Sequence, residues 1–404
     1  MTTSMHEQGF DGAVGVAPGM PLTELDTPTL VLDLDAMERN IQRMAQFAAA
    51  HGVQWRPHAK LHKSARIAQR LVAAGASGCC VQKVAEAQAM AAGGVRDIYI
   101  SNQVLAPQKL QRVAALARHL QQQGGRLALA VDSAQGVAAL AQALQGAGVP
   151  QAVEVFIEID IGQHRAGVGP GAPAVALAQN IVRQRQLRLA GLHAYHGGAQ
   201  HIEDGSQRAA AMQAAYALVR QTLEQLHAAG FTDLAVTGAG TGTFALEAAS
   251  GLYTELQPGS FLCMDAHYAR VQPVPQSALP GPTHFEHALF IKTQVLSSCA
   301  THAVVDAGHK SHAIDSGLPM VWNQGLPPLY EFRNGGDEHG IVAPRVLHGA
   351  LHAPVPALGQ TLWLVPGHCD PTVNLHDAFV GIRGGLEHGV VQEIIPIDAR
   401  GALW

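Results

Sequence analysis

Apolar side chains recur along this chain in two alternating rhythms. Between residues 35 and 51, Met37, Ile41, Met44 and Ala48 fall on one helical face; Asp35 with Glu38 forms a capping-box pattern, and Gly52 can end the helix. A short strand bounded by glycine follows at 53–57, and an Ala/Leu-rich helical segment comes after it at 64–74. The unit then repeats. Short apolar strands are predicted at 78–81, 97–100, 126–131, 153–159, 189–194, 234–237 and 253–256, each separated from the next by a helical pattern. With 53–57 they make about eight, the count of a (β/α)8 barrel, whose usual span of about 250 residues fits 29–270. An open doubly wound sheet is the alternative. Against it, no strand is followed by GxGxxG, and Gly238-Ala239-Gly240-Thr241-Gly242 lacks the Gly-Lys-Ser/Thr ending of a P-loop.

Beyond residue 271 the pattern changes. Ala-rich helical segments stop, and β-rich runs stand at 289–296, 303–305, 361–365, 378–382 and 390–397, with Gly384-Gly385 reading as a hairpin turn. Pro- and Gly-rich connections suit an antiparallel barrel or sandwich, so 271–404 is expected to be an all-β domain. Residues 1–28 are expected to be a leader and N-terminal arm. The first twenty have no basic stretch followed by an apolar one, unlike a signal or transit peptide.

Composition narrows the class. The chain has 404 residues, 48% hydrophobic and only 14% charged, with a net charge of −5, so it can bury large cores and has no basic surplus for nucleic acid or anionic lipid. The longest charge-free stretch, 133–153, is broken by Gln, Gly and Pro and does not read as a membrane span. The five cysteines form neither CxxC nor zinc-ribbon spacing, which suits reduced thiols in the cytoplasm.

In a (β/α)8 barrel the reactive groups sit at the carboxyl ends of the strands, and polar residues lie just past the predicted ends here. Lys60 follows the first strand; a lysine desolvated at a buried strand end has a depressed pKa and becomes an amine nucleophile for Schiff-base chemistry, although it can equally snorkel to solvent. Lys63, one helical turn on, is expected at the surface. The run 238–242 between the seventh strand and a helix offers unhindered N–H groups for a phosphate, with Gly259-Ser260 as a second donor loop, although glycine-rich turns also serve tight geometry. The third constellation is His368-Cys369-Asp370. In extended chain His368 and Asp370 project to one side and can share a divalent ion while Cys369 points away; an ordinary His–Asp hydrogen bond is the alternative.

Taken together, Arg56-Pro57-His58-Ala59-Lys60-Leu61-His62-Lys63, Gln82-Lys83-Val84, Ala194-Tyr195-His196-Gly197, Gly240-Thr241-Gly242, Glu255-Leu256-Gln257-Pro258-Gly259-Ser260 and Pro366-Gly367-His368-Cys369-Asp370-Pro371-Thr372 resemble the D-threonine aldolase and 3-hydroxyaspartate aldolase group of fold-type III, alanine-racemase-like PLP enzymes. The resemblance runs from about 27 to 401 and keeps motif order. It implies a PLP-binding barrel, a C-terminal β-domain and a homodimer. By position, Lys60 would carry PLP; Gln82, Arg165, Tyr195, Thr241, Gly259, Ser260 and Tyr268 would contact it; and His368 with Asp370 would bind a divalent cation, Mg2+ or Mn2+. His196 is the candidate base, with metal-bound hydroxide as the alternative. The chain departs from the family at Phe261, Ala239 and His267, and His164, His193, His309 and His312 look like local substitutions.

The reaction implied is retro-aldol cleavage of a D-configured β-hydroxy-α-amino acid to glycine and an aldehyde. The rival is a D-serine or 3-hydroxyaspartate dehydratase, whose members typically show His-x-Cys where this chain has His368 and Asp370. A non-catalytic PLP-homeostasis protein would be a bare barrel, and the long C-terminal region argues against it and against a simple racemase.

Overall fold

The protein is described, in a computed structural model, over residues 15–272, 274, 284–347, 350–351 and 353–404; residues 1–14 of the expected leader lie outside the described residues. The first strand, β1 (Thr29–Asp33), runs into α1 (Leu34–His51). The cap of that helix is Asp33, whose Oδ1 accepts the N–H groups of Asp35 and Ala36 at 3.0 and 3.1 Å. The expected Asp35/Glu38 box does not form, because both carboxylates are engaged by Arg383. Met37, Ile41, Met44 and Ala48 are buried as their spacing predicted.

The chain divides into two compact units, and the division falls inside α1. One unit holds Ile41–Phe261, the described residues of Arg270–His284, and Gly401–Trp404. It contains eight parallel strands: β2 (Gln54–Trp55), β3 (Cys79–Val81), β4 (Asp97–Ile100), β5 (Arg126–Val131), β6 (Val153–Glu158), β7 (Leu187–Ala194), β8 (Ala235–Gly238) and β9 (Glu255–Leu256). Between them run α2 (Ala65–Ala73), α3 (Val84–Ala92), α4 (Pro107–Gln122), α5 (Ala134–Gly146), α6 (Ala172–Val182), α7 (Gly205–Ala228) and α8 (Phe244–Ala249). The sheet order is β2-β9-β8-β7-β6-β5-β4-β3. Its two ends meet through a parallel bridge, His58 with Cys80, and through N–H bonds from Ser77 to Trp55 O, Cys80 to Pro57 O and Ala59 to Cys80 O, so the sheet closes into the expected barrel. Small and large side chains alternate around its inside: Ala128 and Ala130 of β5 lie with Tyr99 of β4 and Phe156 of β6, whose rings stand 5.0 Å apart.

Charges close the opposite end. Asp97, Arg126, Glu154 and Arg188 begin or lie near the start of four successive strands, and Arg126 bonds both Asp97 and Glu154 at 3.1 Å. Arg56 is buried deeper, 1% exposed, with Nη1 2.5 Å from Asp97 Oδ1 and Nε 3.0 Å from Glu255 Oε2. Burial opposes its charge, but Glu255 and Asp97 outweigh that cost and hold the guanidinium protonated.

The other unit holds the chain up to Asn40, Leu262–Ala269 and Phe285–Arg400. Its nine-stranded sheet is built on β10 (Leu289–Ser298), which pairs antiparallel with β1, β11 (Ala303–Val305) and β17 (Thr361–Val365). β17 also pairs with β12 (Met320–Val321); β13 (Tyr330–Asn334) and β14 (Gly340–Pro344) extend the sheet from β11, and β18 (Ala378–Arg383) and β19 (Val390–Pro396) extend it from β1. A separate hairpin joins β15 (Val346–Leu347) to β16 (Ala350–Leu351). β1 therefore lies outside the barrel, which starts later than the expected residue 29: its Leu30-Val31-Leu32 core pairs with β10 and β18. The unit is also not all-β. It includes α9 (Cys369–Val373) and α10 (Gly385–His388), and α10 replaces the expected two-residue turn at Gly384-Gly385, where Gly384 takes φ +90° to start it.

Replacing Arg56 with leucine should leave the Glu255 carboxylate buried beside an apolar chain and lower unfolding stability in urea by about 3–5 kcal/mol. Asp97→Asn should cost less, since Asp97 is 30% exposed and water can replace its partner. Equal losses would show that the buried pair with Glu255 carries no special weight.

Candidate active site

Lys60 stands two residues past the His58–Cys80 bridge, half-buried, with its backbone N–H donating to His58 Nδ1 at 3.2 Å. That bond makes Nδ1 the acceptor, so Nε2 carries the proton and donates to Ser101 Oγ at 3.2 Å, and the Gln82 amide nitrogen donates to the same hydroxyl at 3.2 Å. Gln82 and Lys83 donate their N–H groups to Glu86 Oε2 at 2.9 and 3.0 Å. Glu86 Oε1 in turn holds Lys63 Nζ at 3.1 Å. Lys63 is thus buried, 7% exposed, contrary to the surface position expected for it; a left-handed backbone turn, φ +50°, points it inward to a partner that offsets its desolvation.

The loops after β8 and β9 adjoin the same point. Thr241 Oγ1 accepts the Phe261 N–H at 2.9 Å, and a Cβ on Gly259 would come 3.1 Å from His58 O. Among the described residues the N–H groups of Thr241, Gly259 and Ser260 find no hydrogen-bond acceptor. The Gly242 N–H is taken by Gln200 Oε1 at 3.1 Å, so the glycine run serves packing as well as donor supply. Behind the loop, Thr243 Oγ1 donates to Glu247 Oε1 at 2.7 Å in a fully buried site.

Across the barrel, the loops after β6 and β7 are stitched together by Gln163 Oε1, which accepts the Gly197 N–H at 2.7 Å. Arg165 lies 5.6 Å over the Tyr195 ring. His193, below, is pushed down to about 3 by burial and by Arg165, and stays neutral. The His196 pKa is lowered by burial, which outweighs Asp160, and its Nδ1 is buried without a hydrogen-bond partner among the described residues. Glu158, raised by burial, takes a 2.5 Å bond from Gln103 after β4.

Lys60, Gln82, Arg165, Tyr195, His196, Thr241, Gly259 and Ser260 all belong to this barrel unit. Tyr268, His368 and Asp370 belong to the other, where Asp265 links them: its carboxylate accepts the N–H groups of Tyr268 at 2.8 Å and Cys369 at 3.1 Å. His368 and Asp370 do not lie on an extended strand. His368 is the extended residue before α9 and Asp370 sits in the first helical turn, because Pro366-Gly367 ends β17 and the chain then turns. They still face each other, His368 Nε2 3.8 Å from Asp370 Oδ2, while Asp315 Oδ2 grips His368 Nδ1 at 2.7 Å. A carboxylate on the far nitrogen is what orients a metal-ligating histidine. Cys369 is buried, with Sγ donating to Met264 O. Among the described residues no cluster of three metal-ligating side chains occurs. Asp265, Asp315, Glu86 and Gln200 went unread in the sequence: Glu86 three residues into α3 offered a local helix-start signal for its bonds to Gln82 and Lys83, whereas Lys63, Cys369, His368 and Gly242 are brought to their carboxylate and amide partners by folding.

A PLP-type barrel with a second, mainly antiparallel unit is the architecture of the alanine racemase N-terminal domain family, to which the chain belongs: residues 32–267 match that domain and 288–382 match a putative serine dehydratase domain. Its relatives at about 40% identity are aldolases, and aldolases are lyases. The chain is 39% identical to 3-hydroxy-D-aspartate aldolase of Paracoccus denitrificans (strain Pd 1222), over 98% of this chain and 97% of that one. It is 41% identical to D-threonine aldolase of Arthrobacter sp, over 95% of each. The crystal structure of D-threonine aldolase from Filomicrobium marinum matches with a TM-score of 0.88 at 42% identity, covering 96% of this chain and 100% of that one. D-threo-3-hydroxyaspartate dehydratase from Delftia sp. HT23 is more distant, with a TM-score of 0.77 at 29% identity over 93% and 98% of the two chains.

Burial raises the Glu247 carboxyl from 4.5 to about 8, with the Thr243 bond opposing, so the folded protein holds a proton there that the unfolded chain releases. Stability should therefore fall as pH rises through that window. Glu247→Gln keeps an acceptor for Thr243 and cannot ionise. Its urea midpoint should match the wild type near pH 5 and exceed it near pH 8; parallel profiles would mean that Glu247 is ionised in the folded state.

Proposed function

We propose that the chain is a PLP- and divalent-metal-dependent aldolase cleaving the Cα–Cβ bond of a D-configured β-hydroxy-α-amino acid, of the 3-hydroxyaspartate or D-threonine type, to glycine and glyoxylate or acetaldehyde. The observation that carries this reading is the likeness of about 40% over nearly the whole chain to two aldolases, in a chain with Asp370 as the second ligand of its His-x-Asp motif.

The donor set fits PLP. Lys60 supplies an amine at a strand end, and the N–H groups of Thr241, Gly259 and Ser260 with the Thr241 hydroxyl suit a phosphate. When bound, PLP supplies an electron sink for the carbanion left on Cα. Lys60 Nζ would carry the cofactor, with Gln82, Arg165, Tyr195 and Tyr268 as its further contacts. His58, its tautomer fixed by the Lys60 N–H, holds the Lys60 turn against Ser101, whose hydroxyl also takes the Gln82 amide. His368 Nε2 and the Asp370 carboxylate would hold Mg2+ or Mn2+, hard ions suited to an oxygen ligand, which polarise the substrate β-hydroxyl. His196, its charged form disfavoured by burial and its Nδ1 without a hydrogen-bond partner among the described residues, would take that hydroxyl proton. The family resemblance supports a homodimer. Four of the five cysteines are buried and all are unbridged, which supports a cytoplasmic site; no helix among the described residues is long and apolar enough to cross a membrane.

Purified protein with PLP and Mn2+ should convert D-threonine or D-3-hydroxyaspartate to equimolar glycine and aldehyde with little ammonia, and borohydride should fix the cofactor on the Lys60 peptide. Ammonia and 2-oxo acid without glycine would establish the dehydratase reading instead. EDTA or His368→Ala should remove activity and leave the cofactor absorbance unchanged; full metal-dependent activity in that variant would move the metal elsewhere.

As pH falls, kcat/KM should drop only below a pKa lower than the usual 6.5 of imidazole, because burial disfavours the charged ring of His196. His196→Gln should lose this limb together with about 10²–10⁴ in kcat. A limb that persists in the variant assigns the base to another group.

A further inference from the structure

We propose that Gln200 is a positioning residue that sets the phosphate-seating loop after β8 from behind and ties it to the His196 segment after β7; the proposal rests on the cofactor reading above. Gln200 is fully buried, and its amide is engaged on both atoms. Oε1 accepts the Gly242 N–H at 3.1 Å, while Nε2 donates to Thr243 Oγ1 at 2.7 Å and to His196 O at 3.2 Å. Thr243 passes the interaction on to Glu247 Oε1 at 2.7 Å.

The three glycines of the loop are fitted to the same stretch of chain. A Cβ on Gly238 would stand 2.1 Å from Ala194 O, one on Gly240 2.4 Å from Gln200 Oε1, and one on Gly242 2.0 Å from Gln200 O. Every second residue of the loop therefore abuts the segment from Ala194 to Gln200, and the glycines are required by that contact rather than by a ligand. Thr241, between two of them, is left to present its N–H and hydroxyl. Its position follows from that of Gly242, which the Gln200 amide holds. The same amide holds the carbonyl of His196, so one buried side chain fixes the phosphate seat relative to the proposed base.

The test compares PLP with pyridoxal, which forms the same bond to an amine and lacks the phosphate. Cofactor-stripped wild type, Gln200→Leu, Gln200→Glu and Thr243→Val are each titrated with both, and their melting temperatures are recorded. Gln200→Leu strands the Gly242 N–H and the His196 carbonyl, and should weaken PLP binding about tenfold or more, which is about 1.4 kcal/mol. Pyridoxal affinity should stay within about twofold in every variant, since it does not use the loop. Gln200→Glu should lose PLP affinity more steeply as pH rises, because an anion then stands behind the phosphate. Thr243→Val should give a smaller loss, again confined to PLP. Equal weakening of PLP and pyridoxal would reduce Gln200 to general packing and overturn the proposal, as would unchanged PLP affinity. If Gln200→Leu does not fold, the same ratio in Gln200→Glu and Thr243→Val decides. A wild type that binds neither ligand overturns the cofactor reading itself, and it does so before any variant is compared.

Discussion

Closing a ring of eight strands requires its short strands to be held from both sides, and here β2, like its neighbour β9, has two residues. Its ladder to β9 is prolonged past the strand by Arg56 N–H to Leu256 O and His58 N–H to Pro258 O, and its other side is held by the bonds to Cys80 and Ser77. Arg56 adds an ionic tie inside the wall, reaching Glu255 on one neighbour and Asp97 at the start of β4. Lys60 follows four residues later. The placement of the proposed nucleophile therefore depends on a buried guanidinium that never meets the substrate end of the barrel.

The two ends of the barrel use opposite electrostatics. At the amino ends, full charges alternate from strand to strand and neutralise each other across the ladder. At the carboxyl ends, burial pushes groups toward their uncharged forms: His193 and His196 downward, Glu158 and Glu247 upward. Clustered shifts of this kind mark functional sites more often than structural ones. Fixed charge persists there in the buried Lys63–Glu86 pair, which offsets its own desolvation.

The barrel was legible because its helices are amphipathic and its strands are short apolar runs between glycines, and β3 to β9 fall where those runs do. β1 was assigned to the barrel because Leu30, Val31 and Leu32 read the same in either sheet; only its partners, β10 and β18, distinguish them. Lys63 was misplaced for a related reason, since no rule of spacing announces Glu86 across a turn. The residues that carry chemistry in the resemblance were named in advance. Those that hold them, among them Gln200, Asp315 and Asp265, were not, because a supporting hydrogen bond leaves no periodicity behind.

The N-terminal arm ends against the outermost strand of the mainly antiparallel sheet. Gly19 N–H reaches Val391 O, Val391 N–H reaches Met20 O, and Leu22 N–H reaches Gly389 O, so the open side of β19 is already bonded. Leu22 and Leu25 then pack on Val31, Val380 and Val391, and Lys292 Nζ donates to the carbonyls of Leu22 and Leu25. At the opposite margin β13 turns Glu331 and Arg333 to solvent. An unguarded strand edge recruits other chains. Shortening the arm past Gly19 would thus bare the β19 edge and leave the protein prone to self-association through a surface that the folded chain keeps covered, a hazard of solubility rather than of catalysis.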